Sequence, residues 1–267
     1  REYDPDLVLV LSADHLYRLD YRDVIAAHTS AGAALTVVSY RINNEPSEHG
    51  VLEVENGTVT GFEYKPEKPK SDLIAAEIFL YDAEVLLRSL EELMERDGKL
   101  EDYGDQLLPY LVEREKVIEH RLDGYWRDMG TPDSYHQAHM DLLDGHGLVF
   151  DDPAWPILSA TPRRLPAFVG ASAQVETSLL APGSRVDGQV TRSVVGPDCH
   201  IEPGAEVHGC VLLDGVRVIT GARLRNMVVD SGAVVGGATD LDGAKEDPET
   251  GIAVVTAAGA LEKPSAD

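Results

Sequence analysis

Asp14, Lys65 and Asp128 are the side chains whose type and setting could do chemistry: two carboxylates for a metal ion and an ammonium for an anion. Asp14 follows the apolar run in LVLVLSADHLY. In an open α/β sheet ligands collect beyond the carboxyl ends of the strands, where a carboxylate can hold Mg²⁺ bridging phosphate oxygens. An aspartate after a strand also caps the next turn, which is its commoner use. Asp128, in GYWRDMGTP, either holds a metal or pairs with Arg127 while Thr131 caps the helix that follows. Lys65, in GFEYKPEKP, lies between a strand and Pro66. Its ammonium suits a sugar phosphate as a point charge, although a solvated loop lysine is the commoner occurrence.

The elements that must position these groups follow from periodicity. Asp6 to Leu11 is a near-continuous apolar strand, which belongs in the middle of a parallel sheet. Asp20 to Gly32 places Val24, Ile25 and His28 at helical spacing and ends on a C-cap glycine. With the strand AALTVVSYRI it completes a βαβ unit. VLEVENGTVTGFEY holds two alternating runs joined by Asn56-Gly57, a hairpin signal. An apolar strand over Leu73 to Tyr81 precedes helices at about Ala83 to Arg96, Gln106 to Glu113 and Pro132 to Leu143.

Prolines 153, 156, 162 and 166 then punctuate an aperiodic stretch, so residues 146–166 are expected to be a linker between a first domain (1–145) and a second (167–267) that ends in a C-terminal extension. The second domain repeats. Val190, Val195, Ile201, Val207, Leu212, Val218, Leu224, Val229 and Val235 are spaced 5, 6, 6, 5, 6, 6, 5 and 6, a coil of 17 residues. An earlier coil with a shortened corner begins near Val169. One inward aliphatic per short strand, with glycines at the corners, describes a triangular parallel β-helix. The pattern resembles the hexapeptide repeat, and that resemblance implies a left-handed helix.

The composition excludes other classes. A chain of 267 residues with 43% hydrophobic content can bury a core, and a formal charge of −24 with no basic patch argues against nucleic acid and anionic lipid surfaces. No run approaches the roughly 18 apolar residues of a membrane helix, and the N-terminal residues are charged, so a cytoplasmic protein is expected. Cys199 and Cys210 are expected to be reduced packing residues.

Taken in order, the Asp-His after a strand, the hairpin ending in Lys-Pro, YWRDMGT, the Trp155-Pro156 linker and the hexapeptide repeat resemble the ADP-glucose pyrophosphorylase (glucose-1-phosphate adenylyltransferase) family across nearly the whole chain. The resemblance implies a partial Rossmann-like nucleotidyltransferase sheet followed by the left-handed β-helix. It implies that ATP and glucose 1-phosphate give ADP-glucose and pyrophosphate for glycogen or related glucan synthesis. It makes Asp14 and Asp128 catalytic, as ligands of Mg²⁺, and puts Lys65 on the sugar phosphate. His49-Gly50-Val51 matches a Phe-Gly-Val segment, so Gly50 would let the backbone approach the sugar. Ala75-Ala76-Glu77 matches the Ser-Met-Gly stretch that lines the sugar site, which makes Ala75 and Glu77 substrate-binding positions. By analogy the protein is a homo-oligomer assembled through the β-helix.

Departures accompany the match. Ala13 replaces a glycine, Tyr64 a glutamate, and Glu77 brings a carboxylate to the sugar site. They leave open another sugar 1-phosphate or a non-catalytic regulatory or scaffolding subunit. The Gly-rich loop that cradles a triphosphate is expected upstream of residue 1, so the chain alone is expected to be inactive. A hexapeptide acyltransferase with His200 or His208 as base is a further rival, disfavoured because both histidines sit inside the regular coil register.

Overall fold

The computed structural model describes residues 3–43, 45–158, 163–236, 239–243, 251–258 and 261–262. The chain forms two compact units, Arg1–Trp126 and Arg127–Asp267.

The first unit is built on β1 (Leu7–Leu11), β2 (His15–Tyr17), α1 (Tyr21–Ala31), β3 (Leu35–Arg41), β4 (Gly50–Glu55), β5 (Thr58–Tyr64), β6 (Leu73–Asp82), α2 (Ala83–Asp97), a π-helical turn (Tyr103–Leu107), α3 (Leu108–Arg114) and β7 (Val117–Arg121). Six strands make one sheet in the order β1-β6-β3-β7-β5-β4. Its two faces carry separate cores: Leu35, Val37, Phe79 and Leu111 on one side, Val24, Val38, Ile78 and Leu80 on the other. Alternation along β3 sends neighbouring residues to opposite faces.

The sheet is mixed. β1 and β3 both run antiparallel to β6, which lies between them, so the expected βαβ unit exists with one strand inserted. β1 is therefore not flanked by parallel strands on both sides. Among the described residues it ends the strand order, pairs antiparallel with β6, and leaves Val10 and Leu11 each 42% exposed. An apolar run reports how many faces are covered and not how many neighbours are paired: Leu7 and Leu9 pack on one core and Val8 on the other.

α1 starts where the Asp20 carboxylate accepts from the Arg22 N–H and stops at Gly32, whose φ of 57° is left-handed. Val24 and His28 face the core while Ile25 turns outward at 39% exposure. The β4–β5 hairpin closes on Asn56 and Gly57, both at positive φ, as a two-residue turn requires to match strand twist. The helix expected over Gln106 to Glu113 is divided between the π-helical turn and α3.

β8 (Trp126–Asp128) leads into the second unit, which opens with α4 (Pro132–Leu143). Thr131 caps α4 in a reciprocal pair with Ser134, and proline occupies its first turn. Among the described residues no helix or strand lies between Leu143 and Phe168; residues 159–162 of the expected linker and most of the C-terminal extension fall outside them.

The solenoid holds the register read from the sequence. Val190, Val207 and Leu224 pair in parallel, as do Val195, Leu212 and Val229, and Ile201, Val218 and Val235. All nine are buried. The shortened coil is also present, since Val175 pairs with Val190 and Leu180 with Val195, each 15 residues on. Cys199 and Cys210 are buried free thiols, pushed up to about 11 and about 12 by burial, so both stay protonated and unreactive.

One face of the coil is apolar outside as well as inside. Its outward row is Leu179, Val194, Val211, Val228 and Val254. Met140 of α4 packs on Val211 and Val228, which are buried for that reason. The doubled aliphatics of this face are the seat of a helix.

Candidate functional site

Asp14 stands three residues beyond β1, exposed, with the Ser12 hydroxyl donating to its carboxylate at 2.6 Å. That hydrogen bond holds its pKa below the usual carboxylate range, so the group is an anion at neutral pH. The neighbouring His15 side chain is almost fully buried. Its Nδ1 lies 3.0 Å from the Ala76 carbonyl; a carbonyl only accepts, so Nδ1 carries the proton and Nε2 is turned to the carboxylates. Nε2 lies 3.8 Å from Asp14 and 3.8 Å from Glu77.

Trp126 organises this end of the sheet. Its ring meets those of His15, Tyr40 and His49 at centroid distances of 5.0, 5.3 and 5.7 Å. Its buried indole N–H has no hydrogen-bond partner among the described residues. Asp128 follows in the same strand. Within its own unit Asp128 accepts from the Gly130 N–H at 2.7 Å, and Arg127 donates to Asp141 at 2.7 Å.

Glu77 owes its position to a two-residue bulge. Pairing of β3 with β6 passes from Val38–Ile78 to Ser39–Ala75, leaving Ala76 and Glu77 unmatched. Glu77 adopts φ 53°, and its carbonyl accepts from the Ser12 N–H at 3.0 Å. Left-handed backbone is the province of glycine, which explains a glycine in the Ser-Met-Gly stretch matched here. This chain keeps the turn and adds a carboxylate.

Lys65 is also left-handed, at φ 43°; its N–H donates to the His49 carbonyl at 3.0 Å and its Nζ lies 5.5 Å from the Tyr64 ring centroid. The Tyr64 hydroxyl is pushed up by burial first, then by the charge of Asp102, with Lys65 opposing and Glu77 adding. Tyr64 therefore feels the charges of both Lys65 and Glu77. Tyr103 is pushed up by burial first and then by the Glu77 charge. The structure thus brings Asp14 and Glu77 together at His15, and Lys65 to Tyr64 and the His49 carbonyl.

Gly50 and Ala75 lie deeper. Ala75 is 3% exposed. A Cβ on Gly50 would stand 2.7 Å from the Phe62 ring, so the missing side chain makes room for that ring. Sequence reasoning passed over His15, Trp126 and Tyr103, whose roles come from contacts over long chain separations. Gly104 after Tyr103 was the one local sign, because its missing Cβ admits Tyr64. In the solenoid, His200 and His208 lie in the stacked strands, and His200 Nε2 is 3.6 Å from Asp187.

Comparison with known proteins gives the family. A family model described as nucleotidyl transferase matches residues 1–145. The chain belongs to the nucleotidyl transferase family. A second model, described as GlmU-like, C-terminal hexapeptide, matches residues 166–259, so a nucleotidyl transferase domain is followed by a hexapeptide-repeat domain. Curated relatives named glucose-1-phosphate adenylyltransferase include those of Halalkalibacterium halodurans, 34% identical over 93% of this chain and 65% of the relative, and Bacillus cytotoxicus, 31% identical over 88% and 64%. The protein of that name from Clostridium acetobutylicum is 34% identical over 74% of this chain and 53% of its own length. The nucleotidyl transferase chain spans just under two thirds of the length of the first two. Among the described residues no helix is long and apolar enough to cross a membrane.

Proposed function

We propose that the protein is a glucose-1-phosphate adenylyltransferase that makes ADP-glucose for glycogen or related glucan synthesis. A phosphate oxygen of glucose 1-phosphate forms the new bond to the α-phosphorus of ATP. The bond from that phosphorus to the bridging oxygen breaks, and pyrophosphate leaves with the electron pair. The observation that carries this reading is Asp14, an anion beside His15 and Trp126 at the sheet end, with Asp128 two residues from Trp126.

The donor set suits Mg²⁺, a hard cation that takes oxygen ligands. Asp14 is ionised and exposed, and carboxylates are the ligands such an ion takes alongside substrate phosphates. The ion supplies neutralisation of charge on the reacting phosphates. Asp14 and Asp128 hold it, and the ammonium of Lys65 orients the sugar phosphate. The Ala76 carbonyl fixes the His15 ring, and the Ser12 hydroxyl holds Asp14. The protein is further proposed to be a cytoplasmic homo-oligomer joined through the solenoid.

The test is pyrophosphate release by the full reading frame with glucose 1-phosphate, ATP and Mg²⁺, for wild type, Asp14→Asn and Asp128→Asn. Loss of at least about a hundredfold in both variants is expected, because each removes charge stabilisation at the reacting phosphates. Full activity in Asp128→Asn, or none in wild type with any nucleotide, favours the scaffolding subunit. Tyr64 and the Ala75-Ala76-Glu77 departure motivate that second reading.

A further inference from the structure

We propose that Arg192 and His136 are positioning residues for Asp128: acting through α4, they hold its carboxylate where it takes the cation, so that the solenoid sets the metal affinity. The inference rests on the nucleotidyltransferase reading and adds what carries its second aspartate.

Asp128 belongs to the same compact unit as the solenoid and is tied to the start of α4 by short-range bonds. Its carboxylate accepts from the Gly130 N–H at 2.7 Å, Thr131 and Ser134 each accept the other's backbone N–H, and the neighbouring Arg127 donates to Asp141 of α4 at 2.7 Å. Where α4 sits, Asp128 follows. α4 meets the solenoid through Asp133, His136, Met140 and Asp144, whose spacing of three and four residues is that of one helix face. Asp133 accepts from the Ile252 N–H at 3.0 Å, and Met140 packs on Val211 and Val228. His136 Nε2 lies 2.7 Å from the Gly209 carbonyl, which only accepts, so Nε2 carries the proton. The Asp144 carboxylate takes two bonds from the Arg192 guanidinium, that from Nη2 at 2.8 Å.

These anchors run along the stack of coils. Arg192 and Gly209 precede strands stacked one coil apart, and Ile252 precedes the strand stacked two coils beyond that of Gly209. Three coil steps cover about 14 Å, and α4 rises about 16 Å from Asp133 to Asp144, so the helix matches the column it lies on. The last pair is kept against local preference at both ends. Asp144 puts a carboxylate at the C-cap of α4, the negative end of the helix dipole. Arg192 adopts φ 47°, a left-handed conformation that residues other than glycine rarely take. Their bidentate contact offsets both costs and fixes the far end of the helix, while His136 fixes the near half.

The experiment measures binding of Mn²⁺, a paramagnetic probe for the Mg²⁺ site, to the full reading frame by electron paramagnetic resonance, with steady-state kinetics alongside. Asp128→Asn identifies the site by weakening it. Arg192→Asp and His136→Leu should each weaken Mn²⁺ binding about tenfold and raise the Mg²⁺ needed for half-maximal rate in step, with the KM for glucose 1-phosphate within about twofold of wild type. The exchanged pair Arg192→Asp with Asp144→Arg, and His136→Gln, which keeps a donor, should recover binding to within about threefold. Arg217→Asp breaks a pair with Glu202 elsewhere on the solenoid and should leave Mn²⁺ binding unchanged. Mn²⁺ binding within about twofold of wild type in Arg192→Asp and His136→Leu, or equal weakening in Arg217→Asp, overturns the inference while the proposed function stands. An Asp128→Asn protein that binds Mn²⁺ and turns over like wild type overturns both.

Discussion

The ring of Tyr64 lies against the α-carbon of Gly104: a Cβ at residue 104 would stand 2.6 Å from Tyr64 Cδ2 and 2.8 Å from Cε2. The contact ties the strand that ends at Lys65 to the π-helical turn that presents Tyr103. Gly104→Ala must displace an aromatic ring, and overpacking of this kind costs about 1–3 kcal/mol. The variant should unfold at lower denaturant and show a KM for sugar phosphate raised roughly tenfold, since the ring lies beside the Lys65 ammonium. An unchanged KM would detach Tyr64 from the sugar site.

Gly50 gives a second test of backbone room. If its bareness serves Phe62, Gly50→Ala destabilises by about 1–3 kcal/mol and the cost falls when Phe62 is first shortened to Leu. Equilibrium unfolding of the four proteins in the cycle reads the coupling. A cost independent of Phe62 would return Gly50 to the role of admitting the sugar.

His28 predicts a pH dependence of stability. It is 3% exposed, its Nδ1 sits 2.8 Å from Thr36 Oγ1, and burial lowers its pKa while Asp82 opposes in part. The folded state therefore prefers the neutral ring. Its contribution is complete above about 6.5, the ordinary histidine value, and is lost as pH falls through that value toward the lowered folded pKa. Melting temperature should fall between pH 7.5 and 5.5 in wild type and fall less steeply in His28→Gln, which begins lower. Parallel slopes would assign the dependence to other groups.

The solenoid predicts a contrast between inward and outward positions. Ile201 is fully buried between Val186 and Val218, whereas Val234, next to the inward Val235, is 49% exposed. Ile201→Ala should cost about 2–5 kcal/mol and Val234→Ala under about 0.5. Urea unfolding separates them. A third change, Val211→Asp, places a charge under Met140 and should free α4 from its seat, read as faster amide exchange along that helix.

Much of this molecule was written in local pattern. The 17-residue register fixed which residue of each coil faces inward, because a repeating coil with one aliphatic per side has a single way to stack. Asn56-Gly57 specified its turn through positive φ, and Thr131-Pro132 specified where α4 begins. Asp14, Lys65 and Asp128 were legible as candidates because each sits at an element end.

Tertiary structure decided the rest. That β1 lies antiparallel to its neighbour depends on pairing with β6, about seventy residues later, and an apolar run carries no record of its partners. The outward valines became a helix seat only once α4 packed on them. Glu77 read as a departure that adds a carboxylate, and the fold turns that carboxylate beside His15. A bulge is a mismatch between two strands, so neither strand's sequence contains it.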